Sequence, residues 1–217
     1  MTRFQIWYDE AMNHKELLLD LLITPELQDR FLNPKYDLHT YSPFLLSDMK
    51  KGVERILSAI LNDEKICVYH DYDADGIPGA VVLHDFFKKI GYTNVMFYVP
   101  HRHTEGYGLH LDALDKIKEQ GATLMITVDL GITAHKEALY ATELGIEVIV
   151  TDHHEPLDTV PKVFAIINPK IPIDGVSYPD TMICGCATAY KLVQGMLAVI
   201  RGEYETSLDL EMILGKI

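Results

Sequence analysis

From Lys65 to about residue 200 the chain alternates short apolar runs, rich in β-branched and aromatic residues, with stretches of helical periodicity. "KICVYH" is followed by "GIPGAVVLHDFFKKIG", where Leu83, Phe86, Phe87 and Ile90 fall on one helix face and Gly91 is placed to stop the helix. "NVMFYV", "TLMITV", "EVIVT" and "VFAII" read as further strands. "HLDALDKIKEQG", "AHKEALYATELG" and "GCATAYKLVQGMLAVI" read as helices, the last of them buried. Strands that alternate with helices of this length must be joined by crossovers. The chain is therefore expected to be an α/β protein, a parallel sheet with helices on both faces. Residues 1–62 differ: "HKELLLDLLI" and "LLSDMKKGVERILSAIL" have helical spacing and are separated by "NPKYDLHTYSP". An N-terminal helical segment over 1–62, packing on the core, and an α/β domain over 63–217 are expected.

The polar residues fall where such a sheet places its chemistry. Asp71, Asp73 and Asp75 follow "KICVY", Asp129 follows "TLMITV", and Asp152, His153 and His154 follow "EVIVT". The carboxyl ends of parallel strands share one edge, and ligands bind there at the topological switch point. Any one of these groups alone would suit a turn or a helix N-cap, a common role for Asp. All three following predicted strands argue for one shared site. Carboxylates so close repel one another unless cations lie between them. Carboxylates with one or two imidazoles form a ligand set suited to Mn²⁺ or Mg²⁺. Two such ions ~3.5–4 Å apart activate water, polarise a phosphoryl group and stabilise a leaving oxygen.

Composition limits the alternatives. The formal net charge of −13 and a sequence pI of about 5.1 count against a general nucleic-acid-coating protein, which would show a basic face. They do not count against an enzyme that meets phosphates through bound cations. No run approaches the ~20 apolar residues of a membrane span, so no membrane partner is expected. "MTRFQIWYDEAMNHK" lacks the apolar core of a secretory signal. Three cysteines are too few and too irregular for a disulfide framework, and a cytoplasmic location is expected. Cys184 and Cys186, in C-G-C, read as small buried residues.

These motifs resemble the DHH phosphoesterase family, named for an Asp-His-His triplet seen here as Asp152-His153-His154, and more closely its RecJ group of single-strand-specific exonucleases. "HDYDADG" resembles that group's first motif and "VPHRHTEGYGL" its Pro-x-Arg…Glu-Gly-Tyr-Gly-Leu stretch. "TVDLGIT" resembles the second acidic motif, usually written with Asn or Cys before the glycine. "VIVTDHHEP", "AIINPK" and the small residues before "AYKL" continue the similarity, which runs from about residue 20 onward. "LLSDMKKGVERILSAILNDEKI" resembles the helix before the first motif.

The resemblance implies that Asp73 and Asp75 bind metal, with Asp71 a further ligand or a partner that orients one. Asp129 would bridge two Mn²⁺ or Mg²⁺ ions. His153 would bind metal directly with Asp152 orienting it, while His154 would lie close to the scissile phosphate. Asp129, His153 and His154 are the expected catalytic residues, and Arg102 and His154 the expected phosphate contacts. Tyr107 suits packing better than base stacking, and His101 and His103 read as solvated loop residues. The family has a further metal-binding Asp shortly after a segment like "LDLEMILGKI", which is where this sequence ends; Asp209 and Glu211 suit the helix surface better. A fragment that lacks the last ligand motif and the second, substrate-gripping lobe is expected, to be completed by a C-terminal continuation or partner domain. The implied function is the core of a 5′–3′ single-stranded-DNA exonuclease that releases 5′-mononucleotides. Two alternatives remain open at this point. One is a phosphodiesterase for short oligonucleotides, cyclic dinucleotides or pyrophosphate; the other is a metal- or partner-binding module without turnover.

Overall fold

The computed structural model describes residues 40–216 together with 30, 32–35 and 38. The helix expected over "HKELLLDLLI" lies outside the described residues. By internal contacts the chain divides into Met1–Ser42 and Pro43–Ile217, and the fold below belongs to the second unit.

After a 3₁₀ turn at Pro43–Leu45 come helix α1 (Met49–Leu61), strand β1 (Ile66–His70), α2 (Gly76–Lys89), β2 (Val95–Tyr98) and α3 (Leu111–Glu119). The chain continues through β3 (Leu124–Val128), α4 (His135–Glu143), β4 (Glu147–Thr151), β5 (Ala165–Ile167), α5 (Gly185–Ile200) and α6 (Leu210–Lys216). The five strands are parallel throughout, in the order β2-β1-β3-β4-β5. The α/β architecture expected from the alternating pattern is thus present. Every residue of β1, β3 and β5 is buried, which explains why those segments read as unbroken apolar runs rather than as alternating ones.

Helices cover both faces. On one, Ala113, Leu114 and Ile117 of α3 and Ala141 of α4 pack with Cys67, Tyr69, Met125, Val148 and Val150 of the sheet. On the other, α2, α5 and α1 lie together. Gly79 of α2 sits so close to Val128 that a Cβ would lie 2.6 Å from its Cγ1, and Gly52 of α1 faces Ile149 and Ile167. Helix α1 forms because Met49, Val53, Ile56, Leu57 and Ile60 share one buried face. Leu83, Phe86 and Phe87 of α2 are likewise buried, and each such side chain stabilises the fold by about 1.5–3 kcal/mol. No helix among the described residues is long and apolar enough to cross a membrane.

The strand order reverses between β1 and β3: the chain leaves β1 for β2 on one side and returns to β3 on the other. That crevice is where a sheet of this kind binds ligands. Register sharpens the placement. His70 pairs with Val128 and Val128 with Thr151, so the next residues, Asp71, Asp129 and Asp152, leave the sheet at one level. The ladder extends through them: Asp71 N–H donates to Val128 O (3.2 Å), Asp129 N–H to Thr151 O (2.9 Å) and Asp152 N–H to Ile167 O (3.1 Å).

Candidate metal centre

The first acidic loop is shaped by its own carboxylates. Asp73 Oδ1 accepts the N–H groups of Asp75 (2.8 Å) and Gly76 (3.0 Å), opening α2. The helix-capping role that an isolated Asp would suggest is therefore real for Asp73, and it coexists with a place in the cluster. Gly76 is required because a Cβ there would lie 2.7 Å from the carbonyl carbon of Asp71. Asp75 is held from a distance of 110 residues in sequence: its carboxylate accepts Gly185 N–H and Cys186 N–H, both at 2.7 Å, at the start of α5. A helix N-terminus presents free N–H groups and partial positive charge, which suits a carboxylate.

Asp129 is buried, 1% exposed, and its backbone lies in the left-handed region at φ 64°. Thr127 Oγ–H donates to Leu130 O (2.7 Å) and Thr151 Oγ–H to Thr127 O (2.6 Å), so the turn after β3 is tied to both strands. Gly185 packs directly on this aspartate; a Cβ there would come within 2.7 Å of Asp129 Cβ. After β4, Asp152 is wholly buried and organises its own loop. Its Oδ1 accepts His153 N–H (2.7 Å), His154 N–H (3.1 Å) and the His154 ring at Nδ1 (2.7 Å), and its Oδ2 accepts Ile132 N–H (2.9 Å). Asp152 thus orients the imidazole of His154, whereas the ring of His153 faces Asp129 (Nε2 to Oδ1, 3.2 Å) and Asp75 (Nε2 to Oδ2, 3.6 Å).

Candidate ligand atoms of Asp71, Asp73 and Asp129 lie within 4.8 Å of one another, as do those of Asp129, His153 and His154. Asp129 belongs to both groups and joins them. Asp71 Oδ1 and Asp129 Oδ1 are buried and receive no well-aligned hydrogen bond, although His153 Nε2 stands 3.2 Å from the latter. A buried carboxylate oxygen with no such bond is costly. Burial pushes Asp71 above the usual carboxylate range, and it pushes Asp129 up to about 8 with the help of Asp75 and Asp73. Asp73 is held low by Gly76 N–H. Burial opposes charge on Asp75, but Cys186 N–H, the Cys184 thiol and Gly185 N–H outweigh it and keep that carboxyl low. Burial likewise opposes charge on Asp152, and its bonds from the His154 ring and Ile132 N–H keep it low. The same bond to Asp152 raises His154 against its own burial. Orphaned oxygens, repelling carboxyls and imidazoles in one crevice are a donor set that fits hard divalent cations.

Other sequence-predicted residues lie elsewhere. Arg102 is exposed, its guanidinium 5.1 Å from the centre of the Tyr72 ring, beside the first acidic loop. His101 and His103 are exposed loop residues. Asp209 Oδ1 accepts Glu211 N–H (2.9 Å) and Met212 N–H (3.2 Å), a helix-opening role at α6. The reading of Cys184 and Cys186 as buried is corrected: Cys184 is exposed and Cys186 partly so. They begin α5 at the mouth of the site, where the small residue that matters for packing is the glycine between them. Tyr107 does more than pack. Its hydroxyl donates to Asp129 O (3.3 Å) and stands 3.4 Å from His154 Nδ1, with the ring half exposed at the rim. Sequence reasoning misses Asn168, although it follows β5 as the aspartates follow β1, β3 and β4. Its Nδ2–H donates to His154 O (3.0 Å).

Relatives share this frame. Over 199 residues the chain is 42% identical to the single-stranded-DNA-specific exonuclease RecJ of Bacillus subtilis (strain 168), covering 89% of this chain and 25% of that protein. The crystal structure of exonuclease RecJ bound to manganese matches with a TM-score of 0.64 and 32% identity, over 74% of this chain and 40% of that one. RecJ from Thermus thermophilus in complex with Mn²⁺ matches with a TM-score of 0.57 and 27% identity, over 79% of this chain and 24% of that one. The chain spans about a quarter of the length of the curated relatives it matches. Residues 65–214, from the start of β1 into α6, match the DHH family, N-terminal domain. A parallel sheet with acids and histidines gathered at its strand ends, matched to that domain over more than half of the chain, makes this chain a member of the DHH family.

Proposed function

We propose that this chain is the metal-binding core of a nuclease that hydrolyses single-stranded DNA from the 5′ end and releases 5′-mononucleotides. The observation that carries the reading is Asp129. It is buried, receives no well-aligned hydrogen bond on Oδ1, and is shared by the two groups of candidate ligands. Asp71, Asp73 and Asp129 would hold one Mn²⁺ or Mg²⁺ ion, and Asp129 with His153 a second, with Asp75 adding a ligand beside His153. Two such ions supply water activation and charge neutralisation at the scissile phosphate. The remaining work falls to the chain's own side chains. His154, fixed at Nδ1 by Asp152 and favouring its charged form, has its other ring nitrogen to offer a phosphate oxygen. Arg102 is suited to grip a phosphate by a forked pair of hydrogen bonds. Asp75 and Asp73, each accepting two backbone N–H groups, stay ionised while a substrate enters.

Substrate grip is proposed to reside in a C-terminal continuation or a partner domain, since the curated relatives are about four times longer than the matched region. The domain reading, a helical segment over 1–62 and the DHH domain after it, belongs to the same proposal. The net charge of −13 favours a second reading, a small phosphorylated substrate, because a long polyanion is repelled outside the metal site. A single experiment separates these. Single-stranded oligonucleotides labelled at the 5′ or the 3′ end, and a dinucleotide, are incubated with Mn²⁺, using this chain alone and continued to the relatives' length. Mononucleotides released from the 5′ end, and lost in Asp129→Asn or EDTA, support the nuclease. Turnover of the dinucleotide alone supports the second reading. Mn²⁺ binding without turnover in either form would mean a non-catalytic module.

A further inference from the structure

Among the described residues β5 is an edge strand, and its outer side presents the backbone groups that a sixth strand would take. Ile167 O faces β4, where it accepts Asp152 N–H, so the backbone groups of its two neighbours, Ile166 N–H, Ile166 O and Asn168 N–H, point outward. All three are met by two consecutive side chains from the turn before α1. Ser47 Oγ–H donates to Ile166 O (2.7 Å), and the same oxygen accepts Asn168 N–H (3.2 Å). Asp48 Oδ2 accepts Ile166 N–H (3.0 Å). Asp48 stands at the N-cap of α1 yet makes no side-chain bond to its own helix, and its φ is 46°. Its carboxylate is diverted from the helix to the sheet edge.

This clamp ends on Asn168, which is wholly buried and level with Asp152, because Thr151 pairs with Ile167. Asn168 uses both ends of its amide. Nδ2–H donates to His154 O (3.0 Å) and Oδ1 accepts Lys170 N–H (2.8 Å). A carbonyl can only accept and an N–H can only donate, so the amide's orientation is dictated by its neighbours. The bonds that Asp152 makes to His153 and His154 lie within one loop and make it a stiff unit. They do not say where that unit stands. Apart from the contacts of the two imidazole rings and the Lys170–Glu155 ion pair beyond them, its ties among the described residues are Asp152 N–H to Ile167 O, Ile132 N–H to Asp152 Oδ2, and Asn168 to His154 O. Of these, the Asn168 bond is the one made to the main chain of His154, the residue that carries the second imidazole.

We infer that Asn168, itself held by Ser47, is a positioning residue that fixes the main chain at His154 and so sets where both imidazoles stand relative to Asp129. Its consequence for metal rests on the proposed function; its hold on the loop does not. The test is Asn168→Asp, which keeps an acceptor for Lys170 N–H but turns an oxygen against the His154 carbonyl. Two readouts are taken: amide hydrogen exchange at His153 and His154 in metal-free protein, and Mn²⁺ affinity by calorimetry. The expected result is exchange at both amides faster by about tenfold or more, with the amides of β3 unchanged, and Mn²⁺ affinity weaker by about 10–100-fold. Ser47→Ala shifts both in the same direction by less, and Ser47→Thr restores them. Unchanged exchange at His153 and His154 overturns the inference, and so does faster exchange with unchanged Mn²⁺ affinity. A parent chain that binds no Mn²⁺ defeats the metal reading by itself, and the exchange result then decides the role of Asn168. If Asn168→Asp does not fold, Ser47→Ala against Ser47→Thr carries the same comparison.

Discussion

Asp129 combines a left-handed backbone, near-complete burial and an oxygen without a well-aligned donor. Strain of this kind concentrates at functional positions, where surrounding structure over-determines it. Its carboxyl, pushed from 3.8 up to about 8, binds a proton more tightly folded than unfolded. The stability this contributes is complete below the unfolded pKa and disappears as pH rises through the folded one. Metal-free protein is therefore expected to lose stability between about pH 4 and about pH 8 through this group. Asp129→Asn removes that dependence, raises the metal-free Tm at pH 8 and abolishes Mn²⁺ binding. Melting curves of both proteins across that range, in EDTA, check it, and parallel pH profiles would count against the assignment. Gly185 is the other residue on which this geometry turns. Gly185→Ala places a methyl group inside the contact distance of Asp129 and is expected to cost about 1–3 kcal/mol in urea unfolding, with Mn²⁺ affinity falling as well.

At the scale of elements, the site is a product of strand register. Four neighbouring strand ends deliver Asp71, Asp129, Asp152 and Asn168 at one level, and the N-termini of α2 and α5 close on them from the same face. An exposed strand edge is a template for unwanted pairing. Here that hazard is met by Ser47 and Asp48 in place of a strand. Asp48→Ala leaves Ile166 N–H without its acceptor and is expected to cost about 1–3 kcal/mol, measured by urea unfolding. Asp48→Asn keeps a carbonyl oxygen in the same place and is expected to recover most of that loss. Equal losses in the two variants would mean that charge, not the hydrogen bond, is what the edge requires.

For the molecule as a whole, a net charge of −13 includes a crevice in which five aspartates meet only two imidazoles. Divalent cations relieve that repulsion, so Mn²⁺ is expected to raise Tm and EDTA to reverse the rise. Because burial and the neighbouring carboxylates favour the protonated form of Asp129, which must ionise to bind metal, affinity should rise with pH toward about 8, with proton release on binding. Calorimetry in buffers of differing ionisation heat reads that proton directly. A binding heat independent of buffer would mean that Asp129 is already ionised and its high pKa wrong.

Much of this was legible beforehand. The buried strands were plain as apolar runs, and the aspartates stood immediately after them, because a parallel sheet covered on both faces needs continuous apolar strands and gathers its polar residues at their ends. Local pattern could not reveal which donor each carboxylate would meet. Asp75 is engaged by backbone N–H groups more than a hundred residues away, Asp152 turns to His154 rather than to the ring of His153, and Cys184 is exposed because α5 begins at the mouth of the site. Ser47 and Asn168, 121 residues apart, meet only when α1 is laid against the edge of β5. Strand identity is written in the periodicity of side chains along a few residues. Hydrogen-bond partnership across the crevice exists only once the sheet has fixed its register and the helices have packed on it.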